Sequence, residues 1–466
     1  KNKRKIIIVL IAVFGTIAAL YFCGLVSQIA TNYGEWKSQG GIIGDVTVKP
    51  TNWNPLVCIS YLFTLNGLKV VIAIGLIVGI VFGIHKLYDR FDGKDRDERG
   101  FTKNKTGTYG TASMMTEREM KEVLAVSKPE DAEGVILGEY KGKVVSIPNN
   151  TDMNRHVAIL GASGTMKSRA IVRSALLQAL KQNEAVVVTD PKGEMYADTA
   201  ELYHNNGYEV KVFNLVEPEH SDSWNCMSDL NGNGHLAQVL TSVIIGNTSE
   251  GKGDHFWDNA ENNFLKALIL YVDTMYREDT NKCNLAFVYD LLGESNDELN
   301  ARFMALPPNS KALKAYNIYK KSGETVKTGI TAGLGGRLQI LQNEEVKNIT
   351  TSNEIDLTLP GKKKCAYFVI LSDQDKTMAF LSSLFFSFLF IKLTRFADSQ
   401  PDRKCIVPVN FILDEFNNIG KIGGAEDGSD FARTLSTCRS RDIRVMLAVQ
   451  SISQLQNRYP DKLWGE

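Results

Sequence analysis

Within HVAILGASGTMKSRAIVRSALLQALKQNEAVVVTD, an apolar strand from His156 to Leu160 runs into a glycine-rich turn, a helix from Lys167 to Lys181, and a second apolar strand from Ala185 to Thr189. Two strands joined by a crossover helix lie parallel, so this stretch alone commits the chain to the α/β class with a mostly parallel sheet. The turn is Gly161, Ala162, Ser163, Gly164, Thr165, Met166, Lys167 and Ser168. Following a strand and opening a helix, its backbone N–H groups and the helix N-terminus would cradle phosphate oxygens. Lys167 would reach the β- and γ-phosphates of ATP and Ser168 would ligate Mg²⁺, with Arg169 on the helix behind. The full pattern wants glycine where Met166 stands, and a side chain there crowds the phosphates if the backbone needs the glycine conformation. The expectation is therefore a P-loop that binds ATP with turnover weakened by Met166; a fortuitous glycine-rich turn is the alternative.

A nucleotide site of this kind needs acids at another strand tip, and VPVNFILDEFNNIG supplies them. Phe411 to Leu413 is the apolar strand and Asp414 and Glu415 end it. Asp414 can hold the Mg²⁺ water shell and Glu415 can orient the attacking water, so that catalysis is positioning plus charge stabilisation. Further on, STCRSRDIRVMLAVQSISQL reads as a helix tail with three arginines and a buried strand, Val445 to Val449, ending in Gln450. Gln450 can sense the γ-phosphate, and Arg439 or Arg441 can act across a subunit boundary as an arginine finger; surface salt bridges are the alternative for both. Asp190, Lys192, Gly193 and Glu194 follow the second strand, at a tip where open α/β sheets bind ligands, although Asp190 could equally cap the next helix.

The chain has 53 Lys+Arg against 53 Asp+Glu, which excludes a basic nucleic-acid coat; a polyanion must be gripped locally. Seven scattered cysteines without a CxxC pair fit neither a zinc site nor a disulfide framework and suggest buried thiols in a reducing compartment. The run Ile6–Ile29 carries no charge and is long enough to cross a bilayer as a helix, too long for the apolar core of a signal peptide. A second run, Leu56–Ile84, carries only Lys69, which either snorkels at the start of a shorter span or packs as a polar site. Bases precede the first run and follow the second, with only Lys37 and Lys49 between, so both ends are expected in the cytoplasm and residues 30–55 outside.

The residues quoted, together with FWDNAENNFLKALILYV and KKCAYFVILSDQDKTMAFLSSLFFSFLF, make the chain resemble the TraG/TraD-type coupling proteins of type IV secretion and conjugation. The resemblance implies a plasma-membrane, multi-pass, hexameric RecA-like ATPase that recruits a relaxase bound to single-stranded DNA and delivers it to type IV secretion channel subunits. It implies a transmembrane anchor over 1–90, a linker over 91–108, a nucleotide-binding domain over 109–224 and 354–466, and an inserted all-helical domain over 225–353. Within that insertion KALKAYNIYKKSGETVK is a modest basic-aromatic stretch, open to DNA contact or to a solvated helix face. GGAEDGSDFA is longer and more acidic than the family's usual link and is expected as an exposed loop. The start at Lys1 and the end at Glu466 suggest that an N-terminus and final strands are missing. Two rival readings remain: a membrane receptor that binds ATP but scarcely hydrolyses it, and a chromosome-partitioning DNA translocase of related fold.

Overall fold

The computed structural model describes residues 2–39, 48–91, 95–96, 102–103, 115–149, 151, 153–249, 255–372, 377–423 and 429–459. They form two compact units, Lys1–Met115 and Thr116–Glu466.

In the first unit, helix α1 (Asn2–Ser38) contains the first apolar run and continues beyond its expected end at Ile29. The second run is not one span. It breaks into α2 (Pro55–Ser60), a 3₁₀ turn at Tyr61–Phe63, and α3 (Leu65–Phe91). Polar side chains satisfy the break: Ser27 donates to the Tyr61 carbonyl at 2.9 Å, and Thr64 Oγ1 accepts from the Gly67 N–H at 3.1 Å. Gly24 abuts the main chain of Cys58, where any Cβ would clash, so α1 and α2 approach closely. α3 starts at Leu65, and Lys69 lies exposed near that N-terminal end. Leu65–Lys86 has a mean hydropathy of 2.6 and only 6% of its apolar window is buried, a surface suited to lipid by length and composition. The expected linker falls mostly outside the described residues, which there show only a pairing of β1 (Asp95–Arg96) with β2 (Thr102–Lys103). The expected domain start at Tyr109 is also outside them.

The second unit opens with α4 (Glu117–Val123) and a small antiparallel sheet of β3 (Ala125–Ser127), β4 (Val135–Tyr140) and β5 (Lys143–Ile147). Then β6 (Val157–Leu160), α5 (Arg173–Lys181), β7 (Ala185–Asp190), α6 (Glu194–Asn205) and β8 (Glu209–Asn214) alternate. A helical stretch follows: α7 (Gly234–Thr248), α8 (His255–Tyr276), α9 (Leu285–Asp290), α10 (Asn296–Met304), α11 (Lys311–Lys320), α12 (Glu324–Leu338), α13 (Glu344–Thr351) and α14 (Leu359–Lys362). The chain returns to the sheet through β9 (Cys365–Ile370), α15 (Ala379–Ser399), β10 (Val409–Leu413), α16 (Ser429–Cys438), β11 (Ile443–Val449) and α17 (Ile452–Arg458). The six large strands are all parallel, in the order β6-β11-β10-β7-β9-β8.

Strand alternation divides the core between two faces. Val186, Val188, Phe368 and Ile412 pack with Leu176 of α5 and Tyr203 of α6. Val187, Phe213, Tyr367 and Phe411 pack with the phenylalanines of α15 and, continuously, with the helical stretch. That burial identifies α15 as a core helix: it is apolar enough to span a membrane, yet 67% of its window is buried in protein. The acidic link after Ile422 lies partly outside the described residues, but from Ser429 it is helix α16 rather than loop, anchored by buried Phe431 stacked on Phe416.

Candidate active site

Parallel strands put all their C-terminal tips at one end of the sheet, so four separated segments meet there. β6 delivers the loop Gly161–Ser168, β7 delivers Asp190–Glu194, β10 delivers Asp414 and Glu415, and β11, lying between β6 and β10, delivers Gln450. They line one cleft of ≈740 Å³, within the range of small-molecule sites.

The loop is shaped by its backbone. Gly164 and Met166 take positive φ, +78° and +65°. The conformation that favours glycine is thus present at 166 with methionine in it, and the residue is 58% exposed and lines the cleft. Gly161 has no room for a Cβ because the Lys167 stem and the Thr165 hydroxyl lie over it. Lys167 is buried, and its ammonium donates to the carbonyls of Gly161 at 2.6 Å and Ala162 at 3.3 Å. The helix after the loop opens with a π-helical turn, Ser168–Val172, before α5 begins, so the expected regular helix from Lys167 starts with a wider turn.

Ser168 donates its hydroxyl hydrogen to the buried carboxylate of Asp414. A hydroxyl and a carboxylate in contact at the mouth of a phosphate loop are hard oxygen donors, and this pair fits Mg²⁺. Glu415 stands at the strand tip in the left-handed region (φ +46°), and Gln450 Nε2 donates to both its carboxylate oxygens at 3.1 and 3.0 Å. The Gln450 main-chain N–H in turn donates to Gln454 Oε1 at 3.0 Å.

The other candidates separate. Asp190 is buried and lines the cleft, and it accepts from the N–H groups of Tyr196 at 2.9 Å and Lys192 at 3.4 Å, bonds that tie down the start of α6; burial pushes its carboxyl up. Lys192 and Glu194 are exposed at the cleft rim, and Gly193 (φ +70°) turns the chain into α6. Arg169 lines the cleft. Arg173, one turn later and paired with Asp198 and Glu194, also lines it; sequence reasoning passed it over, although its i+4 spacing from Arg169 was visible. Gln454, Asn417 and Asn418 are further lining residues missed.

Arg439 and Arg441 are not brought to this cleft. They form a 3₁₀ turn before β11, at the opposite end of the sheet. Arg441 makes a two-point ion pair with Asp398 at 2.9 and 3.0 Å and donates to the Thr437 carbonyl at 2.7 Å. Arg439 lines a second cleft of ≈490 Å³ with Arg155, His156, Lys404 and Arg444, facing Glu184 and Asp442. Arg444 is not on the helix tail as expected but in β11, in a buried pair with Glu184 at 2.6 Å.

The family described as type IV secretory system conjugative DNA transfer matches residues 103–463, most of the chain. The chain belongs to this family. Its fold is similar to the plasmid coupling protein TrwB in complex with a non-hydrolysable ATP analogue, with TM-score 0.53, 16% identity, and 75% of this chain and 74% of that one covered. A trigonal form of the bacterial conjugative coupling protein TrwB in complex with sulphate gives TM-score 0.50 at 17% identity, covering 73% and 74%. At these identities the likeness establishes the fold alone. No curated protein sequence matches the chain. The α/β fold expected for this conjugative-transfer chain and the family resemblance both agree with these findings.

Proposed function

We propose that this chain is a membrane-anchored, Mg²⁺-dependent ATPase that recruits a relaxase bound to single-stranded DNA and couples it to a type IV secretion channel, working as a hexamer. The observation that carries this reading is the convergence of Lys167, Ser168–Asp414 and Gln450–Glu415 at one end of a parallel sheet in a conjugative DNA-transfer chain. Mg²⁺ bound with ATP would supply charge neutralisation at the phosphates. The chain's own groups do the rest: the loop N–H groups and Lys167 bind and orient the phosphates, Ser168 and Asp414 offer the metal's oxygen donors, and Glu415 orients and accepts a proton from water. Gln450 holds Glu415 in that position. Substitution of Lys167 and Glu415, argued in the Discussion, tests this.

Met166 is the observation that favours the second reading, an ATP-binding receptor with little hydrolysis. Yet the loop adopts the left-handed conformation with the methionine in place. A left-handed non-glycine residue costs about 1–2 kcal/mol, worth at most about 30-fold in rate if all of it were relieved in the transition state. Met166→Gly is therefore expected to raise ATP turnover by less than about 30-fold. A steady-state phosphate-release assay showing a much larger rise would favour the receptor.

For the DNA, a groove of ≈730 Å³ on the helical stretch presents Lys266 of α8, Lys311 and Lys314 of α11, and His235; no carboxylate lines it among the described residues. In a chain of zero net charge this is the local concentration of base that a phosphate backbone requires. The aromatic part of the sequence expectation does not hold: Tyr316 and Tyr319 are buried, stacked on Phe303 and Phe264, and form no platform for bases. Replacing Lys266, Lys311 and Lys314 by Ala is expected to weaken single-strand binding and to reduce the slope of log affinity against log salt by about 2. An unchanged slope in a fluorescence-anisotropy titration would remove the groove from the DNA path.

The apolar surface of α3 and the base-poor connection before it support a bilayer anchor with both ends cytoplasmic. A Lys49→Cys thiol, exposed, should react with an impermeant reagent in intact cells and Lys121→Cys should not; the reverse pattern would invert the topology.

A further inference from the structure

His156 immediately precedes β6, the strand that carries the phosphate loop, yet its ring is engaged elsewhere. Nδ1 accepts the Val445 main-chain N–H of β11 at 3.0 Å, and Nε2 lies 3.1 Å from the Leu435 carbonyl of α16. The Val445 N–H can only donate and the Leu435 carbonyl can only accept, so together they require the neutral ring with hydrogen on Nε2. Burial, followed by the nearby positive charges of Arg439 and Arg155, holds the ring's pKa low and keeps it in this form.

Leu435 lies in the last turn of α16, where carbonyls run out of intrahelical donors. Beyond Cys438 the chain tightens to 3₁₀ at Arg439–Arg441 and reverses at Asp442 (φ +56°). His156 holds this excursion at its two ends, Leu435 and Val445. The adjacent Arg155 holds its turning point, donating to Asp442 Oδ1 at 3.1 Å. Arg439 is carried between these fixed points and lines the same cleft as His156.

We propose that His156 is a positioning residue for Arg439, fixing the end of α16 so that this arginine is presented to the nucleotide of the neighbouring subunit. The inference rests on the reading of Arg439 as a trans-acting arginine, which the experiment tests separately. His156 makes no contact with the reacting atoms. Its loss should cost what a misplaced but present group costs, about 10² in turnover, less than removal of the arginine itself.

The test uses full-length protein in mixed rings. His156→Phe removes both ring hydrogen bonds; His156→Asn, which can keep an acceptor for Val445 while falling short of Leu435, serves if the Phe variant does not assemble. Each is mixed with Glu415→Gln subunits, which lack the base but keep Arg439, and separately with Arg439→Ala subunits, which keep the base but lack the arginine. Recovery of turnover with Glu415→Gln and none with Arg439→Ala is the expected pattern, because the His156 variant lacks only a properly presented arginine. The opposite pattern would overturn the proposal and put His156 to work through its own phosphate loop. A His156 variant with the parent rate would overturn it too. If Arg439→Ala itself is not rescued by Glu415→Gln, it is the trans reading of Arg439 that fails. Hydrogen exchange gives a readout independent of activity: amides of residues 434–442 should lose protection in the variant while those of 161–168 do not, and the converse would overturn the assignment.

Discussion

Glu415→Gln is expected to bind ATP with parental affinity and to lose roughly 10² to 10⁴ of its turnover, the range for removing a positioned general base. The substitution is nearly isosteric, and the amide oxygen can still accept from Gln450 Nε2, which spans both carboxylate oxygens at 3.1 and 3.0 Å in the parent. The strand tip should therefore keep its shape and lose only the capacity to take a proton. Lys167→Ala should behave differently. Its ammonium is buried and donates to the Gly161 and Ala162 carbonyls, an arrangement that leaves it positioned for an anion. A charge-assisted hydrogen bond is worth about 1.5–3 kcal/mol, so affinity should fall by roughly 10- to 100-fold. Equilibrium binding of labelled ATP together with a phosphate-release assay separates the two. A Glu415→Gln protein that hydrolyses at the parent rate would refute the assignment of the base.

The elements that formed this cleft were legible because each carried a local signal that burial on both faces reinforces. The β7 run AVVVTD is buried throughout, and a run of Ala and Val this short, following a glycine-rich turn and a helix, has few alternatives. Strand tips were legible for the same reason: Asp414, Glu415 and Gln450 each end an apolar run. What escaped depends on contacts distant in sequence. That Asp190 ties down the start of α6 while lining the cleft depends on where the N–H groups of Lys192 and Tyr196 fall, and hydropathy is silent on that. The break at Tyr61–Thr64 interrupts a run whose composition is continuous; it is held by Ser27, from a helix more than thirty residues earlier. Tyr316 and Tyr319 read as a basic-aromatic surface when flanked by lysines, but helical spacing turns the rings inward and the lysines outward. The π-turn after the loop has no composition signature at all.

The placement of the arginines at the far end of the sheet makes the second large effect a statement about assembly. The loop, Asp414 and Glu415 surround one cleft, while Arg439 lies at the far end of the sheet, so any action of Arg439 on a nucleotide is expected at that of another copy. Arg441 is committed to Asp398 through both ends of its guanidinium, and moving it would break that pair and its bond to Thr437. Arg439→Ala is accordingly expected to lose roughly 10³ to 10⁵ in turnover with ATP affinity retained, the worth of an arginine finger. Arg441→Ala should lose far less, since a partly exposed ion pair contributes about 0–1 kcal/mol to stability. Turnover per subunit should rise steeply with protein concentration as rings form, and rise further with single-stranded DNA. The deciding measurement mixes Arg439→Ala subunits with Glu415→Gln subunits, each nearly inactive alone. In a shared ring, an intact base in one subunit can meet an intact arginine from its neighbour, and activity should return. If the mixed rings assemble and stay inactive, Arg439 has no trans role, and its place beside Arg155, Lys404 and Arg444 belongs to the electrostatics of its own subunit's second cleft.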